Sequence, residues 1–217
     1  SVGGSTSNSG TLTASNATLH DLSNTAGTAT LTDSTANTLA NAANATLNVV
    51  RGQIAGTTTN NGTFTAQNAT LHDVSNTGGT ATLTSTTAGV LTNADGATLS
   101  MSGGSASSAT NAGTMSLSGG NTVSGDVTNT AGQLTLDGAT VGGTLAAQGG
   151  NFTVGSNAAT ANSLSGSGNG TLEGTLSLTD AADTYSGVLS GAGSLNINGG
   201  TETLSGANTY TGVTTVA

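Results

Sequence analysis

A nested repeat limits what this chain can fold into. Residues 8–39 read NSGTLTASNATLHDLSNTAGTATLTDSTANTL, and residues 60–91 read NNGTFTAQNATLHDVSNTGGTATLTSTTAGVL. About 23 of the 32 aligned positions are identical, at an offset of about 52 residues. The match extends outward through Val2-Gly3-Gly4 against Ile54-Ala55-Gly56, and Ala45-Thr46-Leu47 against Ala97-Thr98-Leu99. Each copy contains a shorter unit. Asn recurs at Asn8, Asn24, Asn41, Asn60, Asn76, Asn93, Asn111 and Asn129, at steps of roughly 16 to 19 residues, so the long repeat is three short ones.

The short units start at Asn, nearly all reach Gly within a few residues, and they enter an alternation such as Thr11-Leu12-Thr13, Thr30-Leu31-Thr32 or Thr82-Leu83-Thr84. Alternation with a period of two is the strand pattern, and Thr suits a pleated backbone. A unit of this length holds about three short strands with their turns, which is one coil of a parallel β-helix. The expected fold is therefore all-β, a right-handed parallel β-helix with about 16–20 residues per coil. About eleven coils would make a rod on the order of 50 Å long. Equivalent Asn side chains in stacked coils lie about 4.8 Å apart, close enough to form a hydrogen-bonded ladder. The expected inward columns are Leu12, Leu31, Leu47, Phe64, Leu83, Leu99, Leu117 and Leu136 on one side, with Leu19, Leu39, Leu71, Leu91, Val127 and Leu145 on another.

Composition narrows the function. Only 5% of residues are charged, net charge is −9, and Arg51 is the sole basic side chain besides two His. Nucleic acid needs several phosphate-neutralising cations, and an anionic bilayer would repel such a surface. With no Cys there are no disulfides, thiolates or zinc ribbons. No apolar run is long enough for a membrane span, and no signal peptide opens the chain, which reads as an internal piece of a longer precursor.

The chain is expected to divide into regular coils over residues 1–148, carrying the duplication, and C-terminal coils over residues 149–217, where the Asn register lapses. Within the second part, Tyr185-Ser186-Gly187-Val188-Leu189-Ser190-Gly191-Ala192-Gly193-Ser194-Leu195 precedes Leu204-Ser205-Gly206-Ala207-Asn208-Thr209-Tyr210-Thr211-Gly212-Val213. This stretch, residues 185–217, resembles the passenger-associated transport repeat of bacterial autotransporters, with its pattern G-x-G-x-L, then L-x-G-x-N-T-Y-x-G. Tyr210 reads as an aromatic plug for a coil. The Asn-marked coils are similar in period and composition to self-associating adhesin passengers. The resemblance implies a β-helical passenger exported through an outer-membrane barrel and displayed on the cell surface, promoting aggregation, biofilm growth or adhesion. A passive stalk carrying another functional domain is the first alternative, and a glycan-processing β-helix the second.

Candidate chemical sites are few. His20-Asp21 and His72-Asp73 suggest acid–base or metal chemistry, but as duplicated positions three coils apart they cannot share an ion and read as turn residues. Glu173 with Asp180, or Asp180 with Asp183, are the closest approach to a carboxylate pair. Gly103-Gly104, Gly142-Gly143 and Gly149-Gly150 lack the Gly-x-Asp that calcium-binding β-rolls require. No catalytic residue, metal or cofactor is expected. The candidate binding residues are rows of exposed hydroxyls, Thr28, Thr30 and Thr32 with their copies Thr80, Thr82 and Thr84. Their partner would be a second copy of the rod or a surface glycan or protein. The plainer alternative is that they form the solvated side of a pleated strand. Thr-x-Thr rows also suggest ice binding, but the third coil interrupts them with Thr46-Leu47-Asn48. Asn16-Ala17-Thr18, Asn44-Ala45-Thr46 and Asn68-Ala69-Thr70 match a glycosylation triplet.

Overall fold

The computed structural model describes residues 1–217 and contains strands but no helix. Strands pair in parallel with their equivalents in neighbouring coils, giving a β-solenoid of about twelve turns, roughly 50 Å long at the usual strand spacing. Each turn visits three faces. Face A holds short strands ending in the ladder Asn, from Thr6–Asn8 and Asp21–Asn24 to Val127–Asn129 and on to Thr203–Leu204. Face B holds the Thr-rich strands, Thr11–Ser15, Thr28–Thr32, Thr46–Val50, Thr63–Gln67 and their successors. Face C is narrower, with two- or three-residue strands such as Thr35–Ala36, Thr70–Leu71 and Leu176–Leu178.

Because side chains alternate, a five-residue strand on face B turns two residues inward and three outward. The inward residues form two columns. One runs Leu12, Ala29, Leu47, Phe64, Ala81, Leu99 and Met115; the other runs Ala14, Leu31, Val49, Ala66, Leu83, Met101 and Leu117. The single column expected through Leu12, Leu31 and Leu47 is thus two, offset by two residues along the strand. Leu39, Leu91, Val127 and Leu145 line face A, whereas Leu71 lines face C. Core residues number 46, of which 14 are Ala, so the apolar interior is continuous but thin. The 151 backbone–backbone hydrogen bonds, most of them between coils, carry correspondingly more of the cohesion.

The Asn column runs down the end of face A. Each amide nitrogen from Asn8 to Asn111 donates to the side-chain oxygen of the next Asn at 2.7–2.9 Å. The same nitrogens also donate to backbone carbonyls at the start of face B, as from Asn24 to Thr46 at 2.8 Å. All eight Asn are buried. Beyond Asn129 the column continues as Ala147, Gly166, Tyr185 and Leu204. Tyr185 is fully buried there and donates its hydroxyl to the Gly168 carbonyl. Its ring meets Phe152 edge-on at 6.1 Å. Tyr210, expected as the plug, lies half-buried instead, with its hydroxyl 2.6 Å from that of Thr214. Tyr210 stands in a different column from Tyr185: its N–H donates to the Leu189 carbonyl, whereas Leu204 is the residue that follows Tyr185.

Candidate binding face

The corners between faces collect nearly all the charge. Asp21, Asp73, Asp126, Asp180, Asp183 and Glu202 lie between faces C and A, Asp33, Arg51, Asp137 and Glu173 at or beside the bend between B and C, and Asp95 between A and B. Three of the acids have a shared structural task. Asp21 accepts the backbone N–H of Thr38, Asp73 that of Val90 and Asp126 that of Thr144, each one coil on, at 3.2, 2.8 and 2.8 Å. An aspartate at this bend therefore satisfies a backbone donor that the bend frees. Asp21 also accepts from the Thr38 hydroxyl at 2.7 Å and from Asn37, and its carboxyl is held below the usual range chiefly by that hydroxyl bond. His20 and His72 lie beside these acids with Nδ1 at 2.7 and 3.1 Å, on the exposed side of the corner.

The bend between B and C is made by one residue in the left-handed conformation. Asn16, Asp33, Arg51, Asn68 and Ser85 occupy it in successive coils with φ of 48–51°. Arg51 and Asp33 stack there and form a two-pronged ion pair, both bonds 2.7 Å, which holds the Asp33 carboxyl below its ordinary range. Two of the glycosylation-like triplets, those of Asn16 and Asn68, begin at this exposed bend; Asn44, also left-handed, begins the third between A and B.

Of the carboxylate pairs considered from sequence, Glu173 and Asp180 are far apart. Glu173 and Asp180 flank opposite ends of the face C strand Leu176–Leu178, a separation on the order of 20 Å along an extended chain. Asp183 accepts from the Thr144 hydroxyl at 3.3 Å. Glu202 accepts from the Ser163 hydroxyl and the Leu164 N–H at 3.2 and 3.4 Å. Burial pushes the Glu202 carboxyl up to about 7, with the charge of Asp183 adding to the rise.

Face B is the broadest uncharged surface, with three outward columns where faces A and C each present mainly one. The first column is Thr11, Thr28, Thr46, Thr63, Thr80, Thr98 and Thr114, seven coils without interruption. The second is Thr13, Thr30, Asn48, Thr65, Thr82, Ser100 and Ser116. The third is Ser15, Thr32, Val50, Gln67, Thr84, Ser102 and Ser118, with Asp137 following as the first charge on the face. Thr28, Thr30 and Thr32 therefore share their columns with Thr80, Thr82 and Thr84, three coils and roughly 14 Å away. The intervening strands at Thr46–Val50 and Thr63–Gln67 separate them. Asn48 fills the gap in the second column: it donates to the Thr30 hydroxyl at 3.3 Å and accepts from the Thr65 hydroxyl at 2.7 Å. The six Thr singled out from sequence sample all three columns; what went unread is that the intervening strands Thr46–Val50 and Thr63–Gln67 continue them, because Asn48, Val50 and Gln67 break the Thr-x-Thr pattern.

No protein-family model, no curated protein and no solved structure matches this chain.

Proposed function

We propose that this chain is a non-enzymatic adhesive rod, working at a bacterial cell surface by association between face B of one copy and face B of another. The observation that carries this reading is the partition of charge. Ten acids against one Arg would make two rods repel, yet the corners hold the acids and the widest face holds none over its first seven coils. Contact through face B keeps the acidic edge between C and A away from the partner. Each hydroxyl or amide contact contributes about 1 kcal/mol or less, but a regular array repeats it along the rod. Display of many rods then multiplies weak contacts into firm cell–cell attachment. The resemblance of residues 185–217 to the autotransporter transport repeat supports export across the outer membrane as a passenger segment. A passive stalk is the second reading, favoured by the nearly uniform coil length.

The test is display of the chain on cells that do not otherwise aggregate. Settling of the culture is expected, and Thr63→Glu with Thr80→Glu on face B should abolish it. The same change at Thr122 and Thr140 on face C should leave it intact. Cells that stay dispersed with the unaltered rod on their surface would favour the stalk.

A further inference from the structure

We infer that face B also binds the surface of ice. The inference rests on the fold and the lattice of hydroxyls, independently of self-association. Four features converge. First, the strands of face B stay in one register from Thr11–Ser15 to Thr114–Ser118, so outward side chains stand on a two-dimensional grid. Neighbours are about 4.8 Å apart between coils and about 6.6 Å apart at alternate positions along a strand. The repeat between coils is close to the shorter oxygen spacing on a prism face of hexagonal ice, and the repeat along the strand is somewhat shorter than the longer one.

Second, the unbroken first column is Thr in all seven coils, and none of those seven hydroxyls forms a side-chain hydrogen bond within the protein. Their donors and acceptors are left to solvent. Third, Thr is β-branched and stiff at χ1, so packed neighbours hold both methyl and hydroxyl in repeated positions. Ordered water bridging such groups loses little additional freedom when it joins a crystal. Fourth, the face carries no charge over these coils, and so lacks the strongly held, disordering hydration shells that ions impose.

The second column limits the patch. Thr-x-Thr pairs stand at Thr11/Thr13, Thr28/Thr30, Thr63/Thr65 and Thr80/Thr82, while Asn48 splits them into two pairs of coils. Asn48 also occupies the hydroxyls of Thr30 and Thr65. Asn48→Thr would restore the missing hydroxyl and release its two neighbours, joining four coils into five.

The experiment is growth and annealing of ice in the purified rod, read as crystal shaping and inhibition of recrystallisation, at concentrations where sedimentation shows single particles. The unaltered chain should shape crystals and slow recrystallisation. Thr63→Tyr with Thr80→Tyr should remove the effect, Thr122→Tyr with Thr140→Tyr on face C should keep it, and Asn48→Thr should strengthen it. Circular dichroism confirms that each variant retains its strands. Ice that grows and coarsens as in buffer with the folded unaltered rod, or equal activity after the face B change, would overturn the inference. Neither result bears on aggregation of cells, which the settling experiment reads separately.

Discussion

At the scale of single residues, the buried polar groups decide most. Asn76 accepts from Asn60 and donates to Asn93 and to the Thr98 carbonyl, all at 2.8 Å. Asn76→Ala removes these bonds from a fully buried site and leaves groups on both neighbouring coils without partners. A loss of about 2–4 kcal/mol is expected, read from chemical denaturation. Asn121 shows the reverse situation, for it is buried and its amide has no protein partner. Two coils earlier on the same corner, Thr86 donates its hydroxyl to the carbonyls of Thr84 and Ala66 at 3.0 and 3.3 Å. Asn121 lies one residue farther past its bend than Thr86 does, but Asn121→Thr leaves a single hydroxyl to satisfy in place of a whole amide, and should raise stability by about 1 kcal/mol in the same measurement. The ladder was legible in the sequence because its spacing is the coil length. Asn121 and the left-handed Asn16 were not distinguishable from it by type, since Asn suits a ladder, a bend and a surface alike.

At the scale of elements, the coil is set by how its corners are closed. Asp21, Asp73 and Asp126, between faces C and A, each bind a backbone N–H 17 or 18 residues on. Such a partner is visible only after the coils stack, so His20-Asp21 reads from sequence as a turn without the bond that holds the aspartate there. The C-terminal coils use different devices. Gly170 faces Phe152, and a Cβ there would run into the ring. Glu202 is half-buried, with one carboxylate oxygen unpartnered. Its folded carboxyl titrates at about 7 against an ordinary 4.5, so the folded state binds its proton more tightly than the unfolded chain does. Stability from this group is therefore greatest at low pH and falls as pH rises from about 4.5 to about 7. Glu202→Gln should remove that decline and raise stability at pH 8 by on the order of 1 kcal/mol, allowing for screening of a partly exposed group. Thermal unfolding across that pH range reads both effects.

At the scale of the whole molecule, a thin Ala-rich core and long parallel ladders make a narrow rod, and function must lie on its outside. The period and the alternation made the solenoid legible before any coordinates. The count of inward columns was not, because a Thr-Leu-Thr motif does not reveal which of two inward positions on a strand its Leu occupies. Placement of nearly all the acids at or beside corners follows from the same geometry: flat faces reward small β-formers that pack side by side, whereas bends have room for a charge and a backbone donor to satisfy. With net charge −9, repulsion opposes contact between rods at low salt and is screened at high salt. Sedimentation velocity of the purified chain over a concentration series, at low and high salt, tests face-to-face association most directly. Concentration-dependent dimers or longer assemblies that increase with salt, and are lost in Thr63→Glu with Thr80→Glu, are expected. A single elongated particle at every concentration and salt would contradict association through face B.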